Sequence, residues 1–174
     1  MSWNRGLRGS EFEELINRTN LVYQKKNLAI IQKIPTPITP VKFDKVSRNI
    51  TLAYFDQKSS VDFMGVVQGI PICFDAKETN QKNLPLQNIH QHQLDFMAAF
   101  TAQQGLAFLL VHFKQYNECY YLPFETLLAH WQIAQSGGRK SIPYDAFDKA
   151  LLVPFEGIYL NYLAVVSQVL ERTS

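Results

Sequence analysis

Residues 61–77 alternate in a pattern that only one strand register accommodates. Gln68-Gly69 is a two-residue turn between two alternating runs, Val61–Val67 and Ile70–Lys77. Across that turn Val61 faces Ala76, Phe63 faces Phe74, Gly65 faces Ile72 and Val67 faces Ile70, so one face is apolar throughout. The other face carries Ser60/Lys77, Asp62/Asp75, Met64/Cys73 and Val66/Pro71. A slip of one residue would move every side chain to the opposite face and mix the two sets, so the pattern pins the hairpin.

The flanking chain supplies helices and further strands. Ser10 with Glu13 reads as a capping box, and Phe12, Leu15, Ile16, Thr19 and Tyr23 recur at helical spacing, which predicts a helix over Glu11–Lys25. Leu28–Ile31 is a short strand-prone run, and the prolines at 35, 37 and 40 are expected to break any regular element after it. Residues 41–58 alternate loosely and carry Lys42, Lys45, Arg48 and Lys58, which predicts an exposed basic ribbon over about 38–56. A helix is expected over His90–Gln103, with Leu94, Met97, Ala98 and Phe100 inward and Gly105 ending it. Leu106–Phe113 reads as a buried strand paired with Cys119–Leu122, followed by a helix over Phe124–Ala134. Gly137-Gly-Arg-Lys140 reads as a flexible basic loop, then a short helix to about Leu151 and an amphipathic helix over Tyr159–Leu170. The order describes an α/β fold, a mixed central β-sheet flanked by helices, in a single domain over 1–174.

Composition sets limits on function. A chain of 174 residues with 47% hydrophobic residues can build a real core, which excludes a disordered or low-complexity protein. Cys73 and Cys119 are the only cysteines, too few for a disulfide framework or a structural zinc site by themselves. The longest apolar run, Leu106–Val111, falls far short of the roughly 18 residues of a membrane span, and no apolar leader follows Arg5 and Arg8. The expectation is a soluble cytoplasmic protein. The net charge of +2 conceals an asymmetry: residues 1–60 hold ten Lys/Arg against five Asp/Glu, and the remainder seven against ten. A basic first third suits a polyanionic partner, although a chance fluctuation of a few charges gives the same count.

The hairpin also places chemistry. Asp62 and Asp75 directly opposite each other would have Cβ atoms about 4.5–5.5 Å apart. Two carboxylates at that distance repel, so a cation belongs between them. Lys77 lies on the same face, with Ser60 opposite it. Two acids and a hydroxyl form a hard oxygen site suited to Mg²⁺, which can orient and acidify a water while bridging a phosphate oxygen. Lys77 would then stabilise the charge that grows in the transition state. The competing account is a surface face on which Asp75 pairs with Lys77 and Asp62 is merely solvated.

Six blocks occur in one order: Asn4-Arg-Gly6, Lys33-Ile-Pro-Thr-Pro37, Ser60-Val-Asp-Phe-Met-Gly65, Phe74-Asp-Ala-Lys-Glu-Thr79, Pro85-Leu-Gln-Asn-Ile-His-Gln-His-Gln93 and Gly138-Arg-Lys-Ser-Ile142. Together they resemble the RecU family of Holliday junction resolvases, of the PD-(D/E)xK nuclease superfamily, over almost the whole chain. The resemblance implies a restriction-endonuclease-like core with a projecting stalk. It also implies a homodimeric, Mg²⁺-dependent endonuclease, with Mn²⁺ as a substitute, that makes paired symmetric nicks in four-way DNA junctions during recombination and repair, and contact with the RecA recombinase. On the matching positions Asp62 and Asp75 would be metal ligands and Lys77 the catalytic lysine, with Ser60 and Gln93 as further ligands. Three departures stand out: Asp75 replaces the usual Glu, Ser60 the more typical Thr, and the segment between Pro40 and Tyr54 is shorter than the family's stalk. Two other readings remain, a non-catalytic junction-binding factor modulating RecA and a restriction-type duplex endonuclease.

The remaining candidates each have a plain alternative. Glu13, where this superfamily often places an extra acid, is accounted for as the capping partner of Ser10. His90 and His92 lack a third zinc ligand at useful spacing and read as polar residues at a helix start. Arg139 and Lys140 either clamp a DNA backbone or form an exposed turn. Arg5 and Arg8 belong to an expected mobile arm over 1–10 that tracks phosphate, Trp131 is expected in the core, and Cys73 lacks a base that would make it catalytic.

Overall fold

A computed structural model describes residues 11–55 and 60–173. In chain order the elements are α1 (Glu11–Lys25), β1 (Ala29–Lys33), β2 (Ile38–Asp44), β3 (Asn49–Phe55), β4 (Phe63–Val67), β5 (Ile70–Thr79) and β6 (Asn83–Pro85). There follow α2 (Gln91–Ala102), β7 (Leu106–Phe113), β8 (Glu118–Pro123), α3 (Phe124–Gln135), β9 (Ser141–Pro143), β10 (Leu152–Val153), β11 (Phe155–Glu156), β12 (Tyr159–Leu160) and α4 (Tyr162–Thr173).

The central hairpin has the expected register, with Phe63 opposite Phe74, Met64 opposite Cys73 and Val67 opposite Ile70. Its turn places both Gln68 (φ 48°) and Gly69 (φ 88°) in the left-handed region, the geometry that matches strand twist in a two-residue loop. The Gln68 amide offsets the strain by donating to the carbonyls of Asn27 and Leu28 at 3.0 and 3.2 Å. β1 then pairs along β4 so closely that a Cβ on Gly65 would lie 2.1 Å from the Ile30 carbonyl oxygen. Six strands form the main sheet in the order β1-β4-β5-β7-β8-β10. Only β5 and β7 are parallel, joined by α2 as a crossover helix.

A sheet containing a central parallel pair buries both faces, and two apolar clusters result. One lies under α1 and α4 and includes Phe12, Ile16, Tyr23, Tyr162 and Val166. Across it runs an aromatic row, Phe63–Phe74–Phe108–Tyr121, with centroid separations of 4.9, 4.8 and 4.4 Å. Each such pair contributes about 0.5–1.5 kcal/mol beyond its buried area, so the row clamps the four strands on which the site depends. The second cluster lies under α2 and α3 and includes Leu94, Met97, Phe124 and Leu127.

Several expectations need correction. Val61 does not share the Phe63 face: it is fully buried in the second cluster with Cys73. The ladder stops at Phe63, and the chain bends through Asp62, whose carbonyl accepts from Ile34 N at 2.8 Å. Pro40 does not break the chain but sits inside β2, where the pairing is irregular and a missing N–H is tolerated. No α-helix leads to Leu151; two single 3₁₀ turns, Tyr144–Ala146 and Lys149–Leu151, stand in its place, the second capped by Asp148, which accepts from Ala150 N at 2.9 Å. The last helix begins at Tyr162 because Tyr159-Leu160 pairs with Phe155-Glu156 as a short hairpin.

β2 and β3 pair only with each other and form the expected ribbon outside the main sheet. Its tip is shaped by Asp44, which accepts from Val46 N and Ser47 Oγ at 2.9 and 2.5 Å, and by Arg48 at φ 55°. Lys42, Lys45 and Arg48 are all exposed on it. No described helix is long and apolar enough to cross a membrane.

Candidate active site

The bend at Asp62 creates the site. Freed from the ladder, the Asp62 N–H donates to Asp75 Oδ1 at 2.8 Å, and the Ala76 N–H donates back to Asp62 Oδ2 at 3.0 Å. Each acid is thus held by the backbone at or beside the other. Asp75 lies on β5 between Phe74, locked in the aromatic row, and Ala76, and is completely buried. Its Oδ2 receives Lys77 Nζ at 2.9 Å. The same oxygen accepts from Gln93 Nε2 on α2.

Gln93 reaches Asp75 because of how α2 starts. It is the third helical residue, and its Oε1 accepts from the His90 N–H at 3.1 Å, a capping contact that fixes the amide. In this arrangement the amide nitrogen, rather than the oxygen, faces Asp75. His90 and His92 stack at 5.5 Å at the helix start.

The electrostatics follow from the geometry. Burial and the neighbouring Asp75 charge push the Asp62 carboxyl from 3.8 to about 6, against the opposing pull of the Ala76 N–H and Lys77. Glu13, on the first turn of α1, adds to the upward push. Glu13 makes an ion pair with Lys33 at the end of β1. Ser10, on which its capping role rests, lies outside the described residues. Lys33 is the site-proximal cation that sequence reasoning did not assign, although it stands in one of the six blocks; its pairing with Glu13 joins a helix to a strand and leaves no local pattern.

Ser60 is half-buried two residues before Asp62, and the bend removes it from the ladder position opposite Lys77 that strict alternation implied. Arg139 and Lys140 are exposed, with Arg139 Nε 3.4 Å from Ser141 Oγ. Trp131 is not a core residue as expected: it is half-buried, packing one side against the second apolar cluster and lining a surface cavity. Cys73 is buried beside Asp75, and burial pushes its thiol up to about 12, unsuited to nucleophilic work. Arg5 and Arg8 lie outside the described residues.

Among the described residues no three His, Cys, Asp or Glu gather as a metal cluster. The donors that do converge are the two carboxylates, with the Gln93 amide against Asp75, and the charged form of one carboxylate is disfavoured by burial and by the other. That set fits a hard divalent cation that keeps several waters and does not fit zinc.

Two acids and a lysine gathered on and beside β5 of a mixed, helix-flanked sheet agree with the nuclease class that the sequence resemblance implies. The RecU family model, Recombination protein U, matches residues 7–168. The chain belongs to the RecU family. It is 42% identical to the Holliday junction resolvase RecU of Oceanobacillus iheyensis over 167 residues, covering 92% of this chain and 85% of that protein. The Levilactobacillus brevis Holliday junction resolvase RecU is 40% identical over 174 residues, covering 97% of this chain and 87% of that one. A solved structure of Hjc, a Holliday junction resolvase of Archaeoglobus fulgidus, aligns with a TM-score of 0.42 and 11% identity over 67% of this chain and 78% of that chain, a likeness too distant to inform the site.

Proposed function

We propose that this chain is a divalent-metal-dependent endonuclease that resolves four-way DNA junctions by paired nicks, with Asp62, Asp75 and Lys77 as its catalytic residues. The observation that carries the reading is the reciprocal clasp of Asp62 and Asp75 beside Lys77, in a chain of the RecU family. Asp62 and Asp75 would hold the cation, Mg²⁺ or Mn²⁺, with Ser60 and Gln93 as the further ligands that the family resemblance implies. When bound, the ion supplies Lewis-acid activation of water and phosphate. Lys77, anchored on Asp75 Oδ2, is positioned to meet negative charge as it grows on the phosphate oxygens. Glu13 and Lys33 tune the charge around Asp62 from the α1 side.

Residues 1–174 act as one nuclease domain, with the β2–β3 ribbon as a DNA-contacting extension. Lys42, Lys45 and Arg48 on that ribbon, Arg139 with Lys140, and Arg5 and Arg8, which lie outside the described residues, meet phosphates. A homodimer presents two sites to a junction that is itself two-fold symmetric, which makes paired nicks a matter of geometry. RecA remains a partner by family resemblance alone.

The test incubates a synthetic four-way junction and a linear duplex of matching sequence with Mg²⁺, wild type beside Asp75→Asn. Symmetric junction nicks that vanish in the variant support the reading. Binding without nicks in either protein favours a non-catalytic junction factor, and equal cutting of the duplex favours a restriction-type enzyme.

A further inference from the structure

Between β6, β9 and the end of α3 lies an open cavity of about 640 Å³ that no catalytic role uses. Its lining includes Gln81, Gln87, Trp131, Gln135, Lys140 and Ser141, and among the described residues that line it there is no carboxylate. Its walls are built rather than incidental. β6 pairs with β9, and Leu86 N donates to the Lys140 carbonyl at 3.1 Å, so the two sides are tied by backbone. The third wall is the end of α3, which closes with Gly137 at φ 88°. A Cβ on Gly138 would lie 2.8 Å from the Ile133 carbonyl oxygen, so the turn that presents Arg139 and Lys140 at the rim requires glycine.

The contents of that lining specify a ligand class. Primary amides carry donors and acceptors side by side, as the edges of nucleobases do. An indole offers a stacking face to any base. A lysine at the rim meets phosphate. A phosphate-only cleft would use the cations and leave three glutamines and an indole without purpose. The cavity is also near the chemistry: Leu86, in its wall, and Gln93, which holds Asp75, are separated by seven residues, a span of at most about 25 Å even if extended. Stacked DNA advances about 3.4 Å per nucleotide, which puts the cavity within about seven nucleotides of the acids.

We infer that this cavity takes one unstacked nucleotide of the strand being cut, its base against Trp131 and the glutamine amides and its phosphate at Lys140. The inference rests on the junction-cleaving reading above. Extruding a base costs a few kcal/mol in a duplex. It costs less where a neighbouring stack is already interrupted, as between the arms at the crossover of an open four-way junction, although the pairs there are intact. Occupancy of the cavity therefore favours junctions over duplexes without reading any sequence.

The chain has two tryptophans, so Trp3→Phe leaves Trp131 as the sole indole reporter. That protein is titrated with a four-way junction in EDTA, binding being followed separately by mobility shift. The nucleotides within seven positions of the cut are then replaced one at a time by an abasic residue. The inference expects Trp131 emission to be quenched on binding, the quench to disappear at one abasic position while binding persists, and Gln87→Ala to reduce it. Lys140→Gln should lower the slope of log affinity against log salt by about one. Binding with unchanged emission, or a quench that survives every abasic substitution, overturns the inference while leaving the resolvase reading intact. Failure of the unmodified protein to bind the junction overturns both.

Discussion

Asp62 and Asp75 hold each other through the backbone: the Asp62 N–H binds the Asp75 carboxylate, and the N–H following Asp75 binds the Asp62 carboxylate. Two acids that repel as charges are thereby fixed as neighbours by hydrogen bonds that do not depend on a cation. Fold energy invested in the hairpin and its aromatic row keeps the pair in place.

The cost of that arrangement is measurable in the absence of metal. The Asp62 carboxyl titrates near 6 in the folded chain and near 3.8 when unperturbed, so between those values the native state binds more protons than the unfolded one. Stability must then fall as pH rises from about 4 to 6 and stay low above it. Asp62→Asn, which keeps an oxygen for the Ala76 N–H, removes this penalty and should stabilise the metal-free protein by about 1–3 kcal/mol at pH 7 and hardly at all at pH 4. Urea unfolding in EDTA at the two pH values checks it; a pH-independent difference contradicts it.

Lys77→Met should leave junction binding nearly intact and slow cleavage by about 10²–10³-fold, the usual consequence of removing one group that stabilises transition-state charge. Single-turnover rates at saturating protein separate this from a binding defect.

Gln93 has two duties, donating to buried Asp75 and capping α2 through the His90 N–H. Gln93→Ala should cost about 1–3 kcal/mol of stability, since it removes both the buried hydrogen bond and the cap. Gln93→Glu should retain the cap yet place a third carboxylate beside Asp75, and so destabilise the metal-free form more than the metal-bound one. Thermal melts with and without Mg²⁺ distinguish the two variants.

Legibility in the sequence followed the range of the interactions. The β4–β5 register was readable because alternation and a Gln-Gly turn are local, and it brought Asp62 to Asp75. Leu106–Phe113 was readable as a strand because eight apolar-rich residues bounded by Gly105 and a turn have few other fates. Val61 was misplaced because a hydrogen bond reaching thirteen residues along the chain, Asp62 N–H to Asp75, pulls the backbone out of alternation. The β6–β9 pair has three residues in each strand, too few to show a period. The Glu13–Lys33 pair spans a helix and a strand, and nothing in either segment announces the other.

Replacing Lys42, Lys45 and Arg48 together by Ala should weaken junction binding and reduce its salt dependence by up to about 2.7 in log–log slope, roughly 0.9 for each phosphate that is no longer neutralised. The cleavage rate of bound junction should be unchanged, because the ribbon joins no strand of the main sheet. Filter binding across a salt series, with single-turnover cleavage alongside, checks both halves.

Paired cleavage of a four-way junction by the Asp62–Asp75–Lys77 site leaves a direct signature. A supercoiled plasmid carrying an extruded cruciform, incubated with the protein and Mg²⁺, reports it in one gel, since two symmetric nicks in one binding event yield a linear molecule. The expected result is linear product mapped to the cruciform, absent with Asp75→Asn and absent from the same plasmid without the inverted repeat. Nicked circles alone, or equal linearisation of the plasmid lacking the cruciform, would contradict it.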